Sequence, residues 1–138
     1  SDPRTTSLPP NVIYEFTVWC FDLDSGKTIW KKVAARAAPH EGRHKTSTYG
    51  AASPTTDGKH LLVSFGSFGV FCFDLDGKLI WKRQLGKMRT RRGWGEAVSP
   101  IIADKKAIIM WDQEDQSAIF ALNLSDEYMT VAFDDSKV

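Results

Sequence analysis

Cysteine is scarce in this chain. Its 138 residues include two, Cys20 and Cys72, too few for a small scaffold stapled by several disulfides. Both read as small buried hydrophobes. Neither sign of charge prevails: 18 Lys and Arg face 17 Asp and Glu, a net of +1. No global field therefore draws nucleic acid or an anionic membrane. No apolar run approaches the roughly 20 residues of a membrane span, and the opening residues lack a signal-peptide pattern. Histidine is limited to His40, His44 and His60. The first two are spaced i, i+4, but Pro39 and Gly42 argue against a helix there, and a zinc site needs a further ligand nearby. Asp112, Glu114 and Asp115 lack the Gly and the bidentate acid of a calcium loop and read as a solvated turn. There is no Gly-x-Ser-x-Gly elbow, no Cys in an exposed electropositive setting, and no Gly-rich phosphate loop opening a helix.

What the chain does have is a repeat. Val18-Trp19-Cys20-Phe21-Asp22-Leu23-Asp24-Ser25-Gly26-Lys27-Thr28-Ile29-Trp30-Lys31 returns as Val70-Phe71-Cys72-Phe73-Asp74-Leu75-Asp76-Gly77-Lys78-Leu79-Ile80-Trp81-Lys82. The first copy carries one extra turn residue, Ser25. Alternation puts Val70 and Cys72 on one face of a strand and Phe71, Phe73 and Leu75 on the other. A short strand apolar on both faces is buried on both. Asp76-Gly77 supplies a tight turn, and Leu79-Ile80-Trp81 starts the returning strand. Each copy is thus a hairpin with a Trp on its second strand. Trp30 and Trp81 stand 51 residues apart, close to the period of β-propeller blades, about 40–50 residues. Neighbouring blades would hold Cys20 and Cys72 on separate sheets, out of disulfide reach.

The chain divides accordingly into an arm or linker, 1–11, and repeats over 12–138. Val12–Phe21 reads as one or two strands, Asp24-Ser25-Gly26 as a turn and Thr28–Lys32 as the return, a blade part over 12–34. Val33–Gly50 reads as an inter-blade loop. A full blade follows over 46–88: strands at Ala51–Thr55, His60–Phe65, Val70–Leu75 and Leu79–Arg83, with turns between them. A degenerate blade covers 93–133. There Ala97-Val98-Ser99-Pro100 echoes Ala51-Ala52-Ser53-Pro54, and Asp104-Lys105 replaces the Asp-Gly turn. Ala107–Trp111 and Ser117–Leu124 are its strands, Asp112–Gln116 is a polar loop, and Tyr128–Phe133 fits a closing strand loosely.

The string Asp-Leu-Asp-(Ser)-Gly-Lys-x-Ile-Trp-Lys resembles the tryptophan-docking repeat of PQQ-like, quinoprotein-type β-propellers. Ser53-Pro54, Gly66-Ser67-Phe68-Gly69 and the run from Gly86 to Gly95 look like multi-blade repeat proteins of this type from environmental bacteria. The resemblance implies an all-β fold of antiparallel four-stranded blades. It makes Asp22, Gly26 and Trp30, and then Asp74, Gly77 and Trp81, the structural docking motif, each Trp packing on a neighbouring blade. Propellers close with about 4–8 blades, and this chain has two to three. It is therefore expected to be part of a longer propeller or to close a ring by self-association.

For function, the resemblance implies a non-catalytic scaffold or binding module, with protein or small-molecule partners and a periplasmic or extracellular location. One alternative is a piece of a PQQ-dependent quinoprotein dehydrogenase, which would hold PQQ and a calcium-like ion only in a complete propeller. The adjacent cysteine pair of many such enzymes is missing here, and no residue matches their catalytic Asp or metal ligands. A second alternative is a carbohydrate- or anion-binding propeller. Its site would be Arg89, Arg91, Arg92 and Trp94 in the inter-blade run: three guanidinium groups to clamp a carboxylate or phosphate and an indole to stack on a planar ligand. The competing reading makes that run a plain connector whose arginines tie neighbouring strands.

Overall fold

A computed structural model describes residues 6–125 and 129–134, the last six through their backbone. The fold is all-β, with no α-helix among the described residues. It follows that no helix among them is long and apolar enough to cross a membrane. Three antiparallel sheets follow one another along the chain. Strands β1 (Tyr14–Phe21) and β2 (Thr28–Ala37) form the first. The second is a meander of β3 (Thr55–Thr56), β4 (His60–Ser64), β5 (Val70–Asp74) and β6 (Leu79–Arg83). The third repeats that meander with β7 (Ile101–Ala103), β8 (Lys106–Trp111), β9 (Ala118–Asn123) and β10 (Met129–Asp134).

The repeated string folds the same way twice. Trp30 pairs with Cys20 and Trp81 with Cys72, and the register slips just after each Cys. The Asp that follows fixes the turn. Asp22 Oδ1 accepts the Ser25 N–H at 2.8 Å, and Asp74 Oδ1 accepts the N–H groups of Asp76 and Lys78 at 3.0 and 2.8 Å. In the third sheet Asp104 and Lys105 adopt φ of 47° and 59°, the two left-handed residues that a tight hairpin turn requires.

Strand β5 is buried on both faces. Phe71 and Phe73 pack with Val63 against Val18, Trp30, Ala34 and Ala35 of the first sheet. Val70, Cys72, Leu62 and Trp81 pack against Ala107, Ile109, Leu122 and Leu124 of the third. The sheets are joined by two copies of one bond. Trp30 Nε1 donates to the Leu75 carbonyl, and Trp81 Nε1 donates to the Leu124 carbonyl, each at 2.9 Å. Each indole therefore reaches out of its own sheet to the hairpin of the next.

Several expectations are corrected. Val33–Ala37 is strand rather than loop: Ala35, Arg36 and Ala37 pair with Phe16, Glu15 and Tyr14, and Arg36 meets Glu15 at 2.7 Å. The small side chains of Ala34 and Ala35 let the second sheet pack close. The strand foreseen at Ala51–Thr55 shrinks to Thr55–Thr56, because Pro54 has no N–H to give a ladder and the Ser53 N–H donates instead to Ser99 Oγ at 2.8 Å. Leu75 lies beyond β5 and is half exposed. Cys20 is only partly buried, whereas Cys72 is fully so. The reason is that β4 runs alongside β5, while β1 pairs only with β2 among the described residues. Of the expected arm, Thr6 bridges His44 and the Ser7 N–H donates to the Arg43 carbonyl at 2.8 Å; positions 1–5 lie outside the described residues. The closing strand exists as Met129–Asp134, and Tyr128 lies outside the described residues.

Gly77 has φ +80°, and a Cβ there would stand 2.8 Å from Trp30 Cδ2. Gly26 has φ +68°, but a Cβ would meet nothing within 4 Å. Alanine at either position costs about 1–2 kcal/mol for left-handed backbone. Only Gly77→Ala also lifts Trp30 off its seat. Urea melts of the two variants are expected to rank Gly77→Ala as clearly the less stable; equal midpoints would contradict the packing.

Candidate functional site

The loops at one end of the sheets converge on the run from Gly86 to Gly95. Its backbone is held by its neighbours. The Arg89 N–H donates to Gln113 Oε1 at 2.9 Å and the Glu114 N–H to the Arg89 carbonyl at 3.0 Å, so the β8–β9 loop docks on it. Thr90 gives its N–H and its hydroxyl to Glu41 Oε2 at 3.0 and 2.8 Å. Thr6 Oγ1 donates to the Arg92 carbonyl at 3.1 Å, and the His44 N–H to the Trp94 carbonyl at 2.8 Å.

The structure places the four residues singled out by sequence as follows: Arg89 and Arg92 line one cleft, Arg92 lies over Trp94, and Arg91 is exposed beside them. Arg89 is engaged by Asp115 at 2.6 Å. That hydrogen bond raises the Arg89 pKa and lowers that of Asp115; both groups face solvent, so the pair adds little stability. The Arg92 guanidinium lies over the Trp94 ring, 5.4 Å from its centre, and His44 meets that ring edge-on. Arg92 itself has φ +56°. Arg91 is exposed and belongs to the same short 3-10 turn. Arg89 and Arg92 share a cleft of about 310 Å³ with His40, Glu41 and Glu114, so carboxylates line it as well as guanidinium groups.

Sequence reasoning missed the half-buried acid of this end. Glu96 accepts hydrogen bonds from both the N–H and the hydroxyl of Ser67, and Ser67 Oγ in turn accepts the Met88 N–H at 2.7 Å. A Cβ on Gly66 would stand 1.6 Å from Glu96 Oε2, so a side chain there would displace the carboxylate from Ser67; the φ of +55° also favours glycine. Burial raises the Glu96 pKa, against the lowering effect of the Ser67 bonds. The signal was faint: a lone Glu between Gly95 and Ala97, and a serine inside a Gly-Ser-Phe-Gly turn.

The histidines are dispersed. His40 Nε2 lies 2.8 Å from the Met88 carbonyl, His44 Nδ1 2.8 Å from Thr46 Oγ1, and His60 Nδ1 2.9 Å from Asp57 Oδ2. The acidic loop is more than solvated: Asp115 holds Arg89, and Asp112 Oδ1 accepts the Ser117 hydroxyl at 2.8 Å. Among the described residues, no three His, Cys, Asp or Glu side chains are grouped to hold a metal ion. No protein-family model and no curated protein matches the chain.

Glu96 generates a pH prediction. An acid whose folded pKa is raised is penalised in the fold once charged. Its share of stability is therefore highest below the unfolded value of 4.5 and falls as pH rises through the raised folded value. Glu96→Gln keeps a carbonyl acceptor for Ser67 without the charge. The variant is expected to gain stability relative to wild type as pH rises from 4 toward neutrality, read as the difference between the two urea midpoints. A difference independent of pH would contradict the burial argument.

Proposed function

We propose that the chain is a run of PQQ-like β-propeller repeats acting as a non-catalytic scaffold or binding module. The observation that carries this reading is the repeated dock: two successive tryptophans, each donating to the hairpin carbonyl of the next sheet. The loop end supports a scaffold over a reacting centre, because three of its charged groups are engaged by neighbouring side chains: Glu41 by Thr90, Arg89 by Asp115, Glu96 by Ser67. The dehydrogenase alternative needs a donor set that the described residues do not group. The carbohydrate or anion alternative draws on Arg92 stacked over Trp94, and Glu41 and Glu114 beside them oppose an anion.

Alanine at Arg91, Arg92 and Trp94 together separates these readings. A connector predicts a lower melting temperature and no change in affinity for sulfate or simple sugars. Unchanged melting with loss of a saturable affinity present in the wild type would favour the ligand site. A saturable, stoichiometric dye reduction by the wild-type chain with PQQ, calcium and an alcohol or sugar would overturn the non-catalytic reading.

A further inference from the structure

The chain holds four pairs of adjacent basic residues: Lys31-Lys32, Lys82-Arg83, Arg91-Arg92 and Lys105-Lys106. Three are held in hairpins. Lys31 and Lys32 pair with Trp19 and Val18 in the first sheet, and Lys82 and Arg83 with Phe71 and Val70 in the second. Lys106 pairs with both Ala103 and Asn123, and the Lys105 carbonyl accepts the Leu124 N–H at 3.1 Å. Arg91-Arg92 stands apart, in the connector over 84–100 between β6 and β7. Strandless loops beyond about 12–15 residues are uncommon and usually functional. Lys87, Arg89, Arg91 and Arg92 put four cations into six residues of this one. Arg91 and Arg92 are both exposed. Their turn spans only Arg91–Gly93, and Arg92 carries its side chain at φ +56°, a left-handed backbone that disfavours one. Two bonds close it: the Gly93 N–H to the Thr90 carbonyl at 3.0 Å and the Trp94 N–H to the Arg91 carbonyl at 3.2 Å.

We propose that the Arg92–Gly93 bond is a processing site for an endopeptidase specific for paired basic residues. Exposed loops are where proteolytic nicking concentrates. An enzyme of this class takes its substrate as an extended strand and reads the two guanidinium groups with carboxylates. Presenting any of the other three pairs means breaking a ladder. Presenting this one opens two local bonds and the Thr6 contact to the Arg92 carbonyl, and it relieves the left-handed backbone at Arg92. Hydrolysis adds water across the Arg92–Gly93 bond, leaving a carboxylate on Arg92 and an ammonium group on Gly93. The pieces 1–92 and 93–138 stay joined. Trp81 still donates to the Leu124 carbonyl, and Leu62, Val70 and Cys72 still pack against Ala107, Ile109 and Leu122. Processing therefore frees two chain ends among the loops without dismantling the sheets. The site depends on the connector alone, whatever role the repeats serve.

The test is to treat the native full chain with a limiting amount of a paired-basic-specific endopeptidase and to identify the first fragments by mass spectrometry. The expected first products are 1–92 and 93–138, eluting together on size exclusion and separating in urea. Arg91→Gln removes half of the pair and is expected to abolish this cut, whereas Arg91→Lys keeps it; matching circular dichroism melts show that the fold is unchanged. A first cut at any other pair would overturn the proposal. So would a native chain that resists while the heat-unfolded chain is cut at Arg92. Fragments that part without urea would overturn the claim that the sheets hold them together.

Discussion

The structure depends on one bond made twice, from an indole N–H to a hairpin carbonyl on the next sheet. An indole has a single donor. Trp81 is 2% exposed and Leu124 likewise, so neither group can turn to water instead. Leaving such a group unpaired costs about 1–3 kcal/mol. The rest of the repeated string serves this contact. Asp74 closes the turn, the turn presents the Leu75 carbonyl, and Gly77 leaves room for the Trp30 ring. Around each bond an apolar cluster closes, because β5 carries aromatic rings toward one neighbour and Val70 and Cys72 toward the other. Burial in that second cluster pushes the Cys72 thiol up to about 12, which marks it as a packing residue.

Much of this was legible because the string occurs twice. Alternation in Val70–Phe73 specified a strand covered on both sides, and the Asp-Gly and Asp-Lys turns specified the hairpins. The strand ends were not legible. Ala34-Ala35-Arg36-Ala37 has little β propensity of its own and becomes strand through pairing with β1 and packing under Phe71 and Phe73. The opposite happened at Ala51–Pro54, where a proline and the Ser99 hydroxyl took the backbone away from the ladder.

The loop end was the least readable part. Arginine and tryptophan between glycines suggest a site, but sequence does not disclose which carboxylates fold back on them. Asp115 lies 26 residues from Arg89, and Glu41 lies 49 from Thr90. Long-range pairing of this kind ties the run to the loops around it, and sequence spacing gives no hint of it. Glu96 shows the same principle from the other side: an unremarked acid becomes the half-buried post on which the Gly66–Gly69 turn rests.

The most direct measurement is hydrogen exchange at the tryptophan indoles, followed by NMR. If the docks hold the sheets together, the Trp81 Nε1 proton exchanges slowest of the four compared and opens only with large-scale unfolding. Trp30, docked but less covered, is intermediate, and Trp19 and Trp94 exchange at the rate of exposed side chains. A Trp81 proton that exchanges as fast as that of Trp94 would contradict the account.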